Sequence, residues 1–152
     1  MAIRISLTHI KLVREPSHLY NIDHRSIHNP EDAAAVFNSV LDLQDEAQEV
    51  VCALYLSTSN TILGVQEITR GTVDGSLVSP REVFKGAILH NATSLIIAHN
   101  HPSGATAPSR EDVATTERVA KSGKILGIHL LDHIIVGTDG NYRSLKEEGL
   151  LE

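Results

Sequence analysis

At 152 residues, 41% of them apolar and 3% aromatic with no Trp, the chain suits a single domain over 1–152 whose core is Val, Ile, Leu and Ala. Its one cysteine, Cys52, excludes an intramolecular disulfide and any zinc site of several thiolates. The net charge of −6 is unevenly divided: residues 1–28 set Arg4, Lys11, Arg14 and Arg25 against Glu15 and Asp23, a balance of +2, while the remainder sets nine cations against seventeen acids, −8. An acidic body disfavours non-specific nucleic-acid binding, although the basic arm keeps a nucleic-acid partner open.

Met1 to Leu7 alternates polar and apolar residues and does not read as a signal peptide. No apolar run is long enough to span a bilayer, so the expectation is a cytoplasmic protein without a membrane partner. Ile3 to Leu7 reads as a strand by its period of two, with an extension to Val13 after a slip in phase. Residues 14–28 form an irregular, His-rich connection. Asn29-Pro30-Glu31-Asp32 starts a helix with a capping residue, Pro at the first position and acids in the first turn; Ala33, Val36, Phe37, Val40 and Leu41 share its apolar face.

Val50 to Leu56 reads as a buried strand, Ser57 to Thr61 as a turn, and Ile62 to Ile68 as an antiparallel neighbour. Gly71, Asp74 and Gly75 mark a loop. Ser79-Pro80-Arg81-Glu82 predicts a helix opened by a capping box and ending near His90-Asn91. Ser94 to Ala98 is a second buried strand, ending at His99. The segment Pro102 to Pro108 is irregular, and Ser109-x-x-Asp112 opens a helix that Gly123 ends. Ile125 to Val136 reads as one or two strand segments before the turn Thr138 to Asn141. The interleaving predicts an α/β or α+β fold, a mixed central sheet flanked by helices.

The chemistry concentrates around residues 95–112. Side chains two apart in an extended segment share a side, so His99 and His101 can face one ion from a strand end. Asp112, at the third position of the following helix, is a natural third ligand. Two imidazoles and a carboxylate leave the fourth tetrahedral position to water, the pattern of a catalytic zinc (Zn2+). The plainer alternative is a chance His-x-His, with Asp112 serving as the capping partner of Ser109.

His99, His101, Ser109 and Asp112 reproduce His-x-His-x7-Ser-x2-Asp, which resembles the JAMM motif of metal-dependent isopeptidases. Gly71-Thr72, Pro80-Arg81-Glu82-Val83, His99-Asn100-His101-Pro102-Ser103-Gly104, Pro108 to Asp112 and Leu131-Asp132-His133 are similar to the bacterial RadC family over about residues 44–150. The resemblance implies a fold like that of JAMM proteins and cytidine deaminases. It also implies that Glu49, just ahead of the strand Val50 to Leu56, holds and deprotonates the water at the open zinc position. A solvated strand-end charge is the competing reading of Glu49, and Glu46, Glu67 and Glu82 are its rivals, Glu82 being accounted for by its cap. Ser109, beyond capping, can donate to an oxyanion.

Other residues take structural readings. Cys52 is a buried small hydrophobe, and His133, between Leu130-Leu131 and Ile134-Ile135, is a satisfied structural histidine rather than a fourth ligand. His9, His18, His24, His28, His90 and His129 lack partner spacing, and Ser103 sits in no nucleophile elbow. About forty-five residues precede the motif region, so the expectation is a short form without the helix-hairpin-helix-like domain of many RadC-like chains. The favoured function is zinc-dependent hydrolysis of a peptide or isopeptide bond in a protein substrate. The alternatives are a DNA-processing hydrolase in repair or mobile-element biology and a non-catalytic zinc-binding interaction module. A nucleobase deaminase is excluded because it needs Pro-Cys-x-x-Cys. The sequence sets no oligomeric state.

Overall fold

The computed structural model describes residues 3–13, 18–71 and 78–152. Helix α1 (Pro30–Leu41) is followed by a short 3-10 turn, Leu43–Asp45, and by strands β1 (Val50–Leu56) and β2 (Ile62–Arg70). Helix α2 (Pro80–Leu89), strand β3 (Ser94–Asn100), helix α3 (Arg110–Leu126), strand β4 (His129–Val136) and strand β5 (Tyr142–Ser144) complete the order. The strands form one mixed sheet ordered β2-β1-β3-β4-β5. Only the β3–β4 pair is parallel, joined by α3 as the crossover that parallel neighbours require.

Every residue of β1 and β3 is buried. The cause is coverage on both faces, and it explains why these strands read as continuous apolar runs without alternation. Val50, Cys52, Leu54, Ile96 and Ala98 face α1, where they meet Val36 and Phe37. Val51, Ala53, Tyr55, Leu95 and Ile97 face the other layer, where Val83, Phe84 and Val119 come from α2 and α3. Each face thus removes several large side chains from water, at about 1.5–3 kcal/mol for each one fully buried.

Four expectations need correction. Residues 3–13 form no strand: Ile3, Ile5 and Leu7 stand 69–85% exposed, and alternation without a neighbouring strand supplies no ladder partners. Ser79 makes no side-chain capping bond, so Glu82 is not held by a capping box; it pairs instead with Lys85 at 2.8 Å on the surface. Gly123 does not end α3. The helix runs to Leu126 and is stopped by left-handed Gly127 (φ 72°), while Gly123 is the point where Ile128 packs too close for a side chain. Accordingly Ile125 is helical and exposed, and the strand begins at His129. Of the expected loop after β2, Gly71 is described with φ +72°, and Asp74 and Gly75 lie outside the described residues.

Candidate metal centre

The register between β1 and β3 decides which side chains meet. Val51 is paired directly with His99 in an antiparallel ladder, so both point to the same face. Two residues along, His101 returns to that face, its Nε2 2.9 Å from that of His99. Glu49 lies two residues before Val51, half-buried, and its charge is among the influences felt by the His101 imidazole.

Asp112 arrives from the other direction. Ser109 Oγ accepts from the Asp112 N–H at 3.1 Å, and Asp112 Oδ2 accepts from the Ser109 N–H at 2.7 Å, a reciprocal capping box. Ser109 thus holds Asp112 in place, and the capping reading of the pair is correct as far as it goes. The same carboxylate also reaches the histidines: Oδ1 lies 3.1 Å from His99 Nε2 and Oδ2 3.4 Å from His101 Nε2. The capping and metal-facing readings are compatible, because a carboxylate has lone pairs for both.

His99 is 2% exposed and His101 18%. The turn after His101 needs Gly104 at φ +81°, and it returns the chain so that Ala105 O sits 2.8 Å from His101 Nδ1. A carbonyl oxygen only accepts, so Nδ1 donates and Nε2 turns inward. The two Nε2 atoms approach to 2.9 Å. A tetrahedral ion with bonds of about 2.0–2.1 Å has ligand–ligand edges of about 3.3 Å. The His99–His101 Nε2 spacing of 2.9 Å and the 3.1 Å from His99 Nε2 to Asp112 Oδ1 are edges of about that size, and one ligand atom from each of the three residues lies within 4.8 Å of the others. Among the described residues, His99, His101 and Asp112 are the group of His, Cys, Asp or Glu side chains that could hold a metal ion. Glu49 is not in that group.

The electrostatics follow from the geometry. The Asp112 carboxylate raises the His101 pKa above its ordinary value, chiefly by hydrogen bonding, against the opposing effect of burial. Burial pushes the Asp112 carboxyl up, but the adjoining His101 and His99 rings and the Ser109 N–H outweigh it and hold the group well below the usual carboxylate range. The site is a pre-formed anion flanked by two inward nitrogens, which is the electrostatic demand of a divalent cation.

The rivals to Glu49 are engaged elsewhere. Glu46 and Glu67 both pair with Arg70, and Glu82 with Lys85. Cys52 is fully buried, its thiol pushed upward by burial, with Sγ donating to Ala98 O at 3.5 Å.

The residue matches agree with the geometry. The model of the RadC-like JAB domain matches residues 27–150. The chain belongs to the RadC-like JAB domain family. A UPF0758 protein of Methanococcoides burtonii is 53% identical over 104 residues, covering 68% of this chain and 45% of that protein. One from Methanosarcina acetivorans is 46% identical over 127 residues, 84% of this chain and 54% of its own. One from Halalkalibacterium halodurans is 44% identical over 142 residues, 93% of this chain and 60% of its own. The chain spans about half the length of the curated relatives it matches.

Two residues of this RadC-like JAB domain escaped a functional reading in the sequence. Asn100, between the two histidines, points to the opposite face, is 2% exposed, and accepts from the Val50 N–H at 2.7 Å. Its amide donates to Glu46 O at 3.1 Å and Gln48 O at 2.9 Å, so it staples the segment that presents Glu49. His133 is the other: its Nε2 lies 2.8 Å from His99 Nδ1, and its Nδ1 2.6 Å from Thr116 Oγ1. It is no ligand of the group, in keeping with the structural reading. The signal for Asn100 was an amide at the end of a buried strand, where it has to be fully bonded.

Proposed function

We propose that this domain is a metal-dependent hydrolase of a peptide or isopeptide bond, with zinc held by His99, His101 and Asp112. The observation that carries the reading is the convergence of two inward imidazole nitrogens and one carboxylate at 2.9–3.4 Å, with the Glu49 charge acting on His101. Soft or multiple-oxygen sites are a poorer match: two nitrogens, one carboxylate and an open side suit zinc. When bound, that ion supplies Lewis acidity, polarising a carbonyl and making water acidic near neutral pH.

The chain's own residues divide the remaining work. Glu49 accepts the proton of the attacking water and returns it to the departing amine. Ser109 Oγ already accepts from the Asp112 N–H, which leaves its own hydrogen free to donate to a developing oxyanion at the exposed helix start. His101 is fixed by Ala105 O and Asp112 by the cap, so no side chain of the triad needs to reorganise.

Charge and acid count support this bond type. Phosphodiester hydrolysis commonly uses two metals bridged by carboxylates, whereas this group contains one aspartate. A net charge of −6 further disfavours a polyanionic substrate. The test sets the wild-type chain and Glu49→Gln against a peptide and isopeptide library and against single- and double-stranded DNA, each with zinc, magnesium or manganese. The expected outcome is peptide-bond cleavage that chelator removes and Glu49→Gln lowers by at least about a hundredfold, with zinc content unchanged. Cleavage of DNA that depends on Glu49, with every peptide intact, would replace this reading by a nuclease. Zinc uptake without hydrolysis of either class would favour the binding module.

A further inference from the structure

Behind His99 lies a chain of hydrogen bonds whose direction can be worked out from one end. Thr116 Oγ1 is 2.8 Å from the backbone oxygen of Asp112, and a carbonyl oxygen only accepts, so the single hydroxyl proton is used there. His133 Nδ1, 2.6 Å from the same Oγ1, must therefore be the donor. A neutral imidazole has one N–H, which leaves a lone pair on His133 Nε2. His99 Nδ1, 2.8 Å away, then has to donate to it, and His99 Nε2 is left with its lone pair turned toward Asp112 and His101.

We infer that His133 and Thr116 are positioning residues that fix the tautomer and aim of His99 at the metal centre. The inference rests on the metal-centre reading given above. The chain of bonds starts at one ligand and ends on the backbone of another, closing a ring through β3, β4 and α3. Thr116 can occupy its place because it follows Asp112 by four residues and so lies one helical turn along the same face. His133 is 2% exposed and Thr116 0%, so water has no access to substitute for either partner. An apolar residue at 133 would fill the same space without the cost of burying a polar ring. What the imidazole adds is an acceptor pointed at His99 and a donor pointed at Thr116. A ring nitrogen held as a donor also makes the opposite nitrogen a better ligand.

The test uses the full chain, loaded with zinc and carrying nitrogen-labelled histidine, with long-range proton–nitrogen correlation to read which ring atom bears the proton. His133 is expected as the Nδ1–H tautomer, and so is His99, with its Nε2 bound to metal. Thr116→Val, which removes the acceptor, is expected to weaken zinc binding by about 10–100-fold in a competition titration, and Thr116→Ser to restore the parental affinity. A role limited to packing would move melting temperature in both variants and leave the wild-type tautomer unconstrained. An Nε2–H tautomer at His133 in the loaded wild type, or parental zinc affinity in Thr116→Val, overturns the inference while the metal centre stands. Should Thr116→Val fail to fold, the wild-type tautomer decides the matter. A wild-type chain that takes up no zinc overturns the metal-centre reading and this inference with it.

Discussion

His101 and Asp112 respond to protons in opposite ways, and that makes the metal-free site a pH-dependent element of stability. The His101 pKa is raised, so its contribution is complete below the ordinary value of about 6.5 and is lost as pH rises through the folded value. The Asp112 pKa is depressed, so its contribution is present above about 3.9 and is lost as pH falls into the acid range. Chelator-treated protein should therefore melt at a lower temperature at pH 8 than at pH 6, with a smaller difference in His101→Ala. Zinc reverses the sign, because deprotonated imidazoles are needed for binding, and loaded protein should gain stability from pH 5 to pH 7. Scanning calorimetry on both forms checks the two slopes; parallel slopes would argue against ligation by His101. At this scale the grouping of His99, His101 and Asp112 was legible, because His-x-His and Ser-x-x-Asp are short local patterns. His133 was legible as buried and satisfied, but its partners were not, since they come from β3 and α3.

Elements carry these residues to one place. The β1–β3 register pairs Val51 with His99, and Asn100 secures the segment that carries Glu49 through Val50, Glu46 and Gln48. Asn100→Ala should leave a buried N–H and two carbonyls short of partners, costing about 1–3 kcal/mol in denaturant titration. It should also lower turnover more than zinc content, because Glu49 loses its support while the ligands keep theirs. Unchanged turnover in a folded Asn100→Ala chain would detach Asn100 from the base. Most elements were readable from caps and apolar runs: Asn29-Pro30 and Ser109-x-x-Asp112 both cap as expected. The failures have physical causes. Gly123 looked like a terminator because close approach of a neighbouring backbone and a left-handed turn both demand glycine, and the sequence does not distinguish them. Ile3 to Leu7 has a strand's alternation, but pairing depends on a partner that local pattern does not reveal.

For the molecule as a whole, the two faces of the sheet divide their duties. The α1 side is core, closed by Val36 and Phe37; the α2/α3 side is core through Ile97 and becomes the candidate metal centre at His99. Asp132, next to His133 on β4, sits on the opposite side and binds the last part of the chain, accepting from Ser144 Oγ at 2.6 Å and from the Lys146 N–H at 3.1 Å. Among the described residues, no helix is long and apolar enough to cross a membrane. Since an ion bound to the native state and not to the unfolded one stabilises by mass action, chelation should lower the melting temperature of the wild type by several degrees. His99→Ala should show no such difference. A chelator effect of equal size in that variant would place the ion elsewhere.

The spacing of the site along the chain has a consequence for how it is assembled. The three ligands lie between positions 99 and 112, on a strand end and the helix start that follows it. Glu49 enters from β1, which must insert between β2 and β3 and pair with a strand some forty residues later. Short loops close early in folding and long-range strand pairing closes late. Under the proposed function, a newly made chain can thus gather its ion while the sheet is still incomplete, and Glu49 arrives with the last long-range pairing. A half-folded chain would, on that function, be metallated and inert.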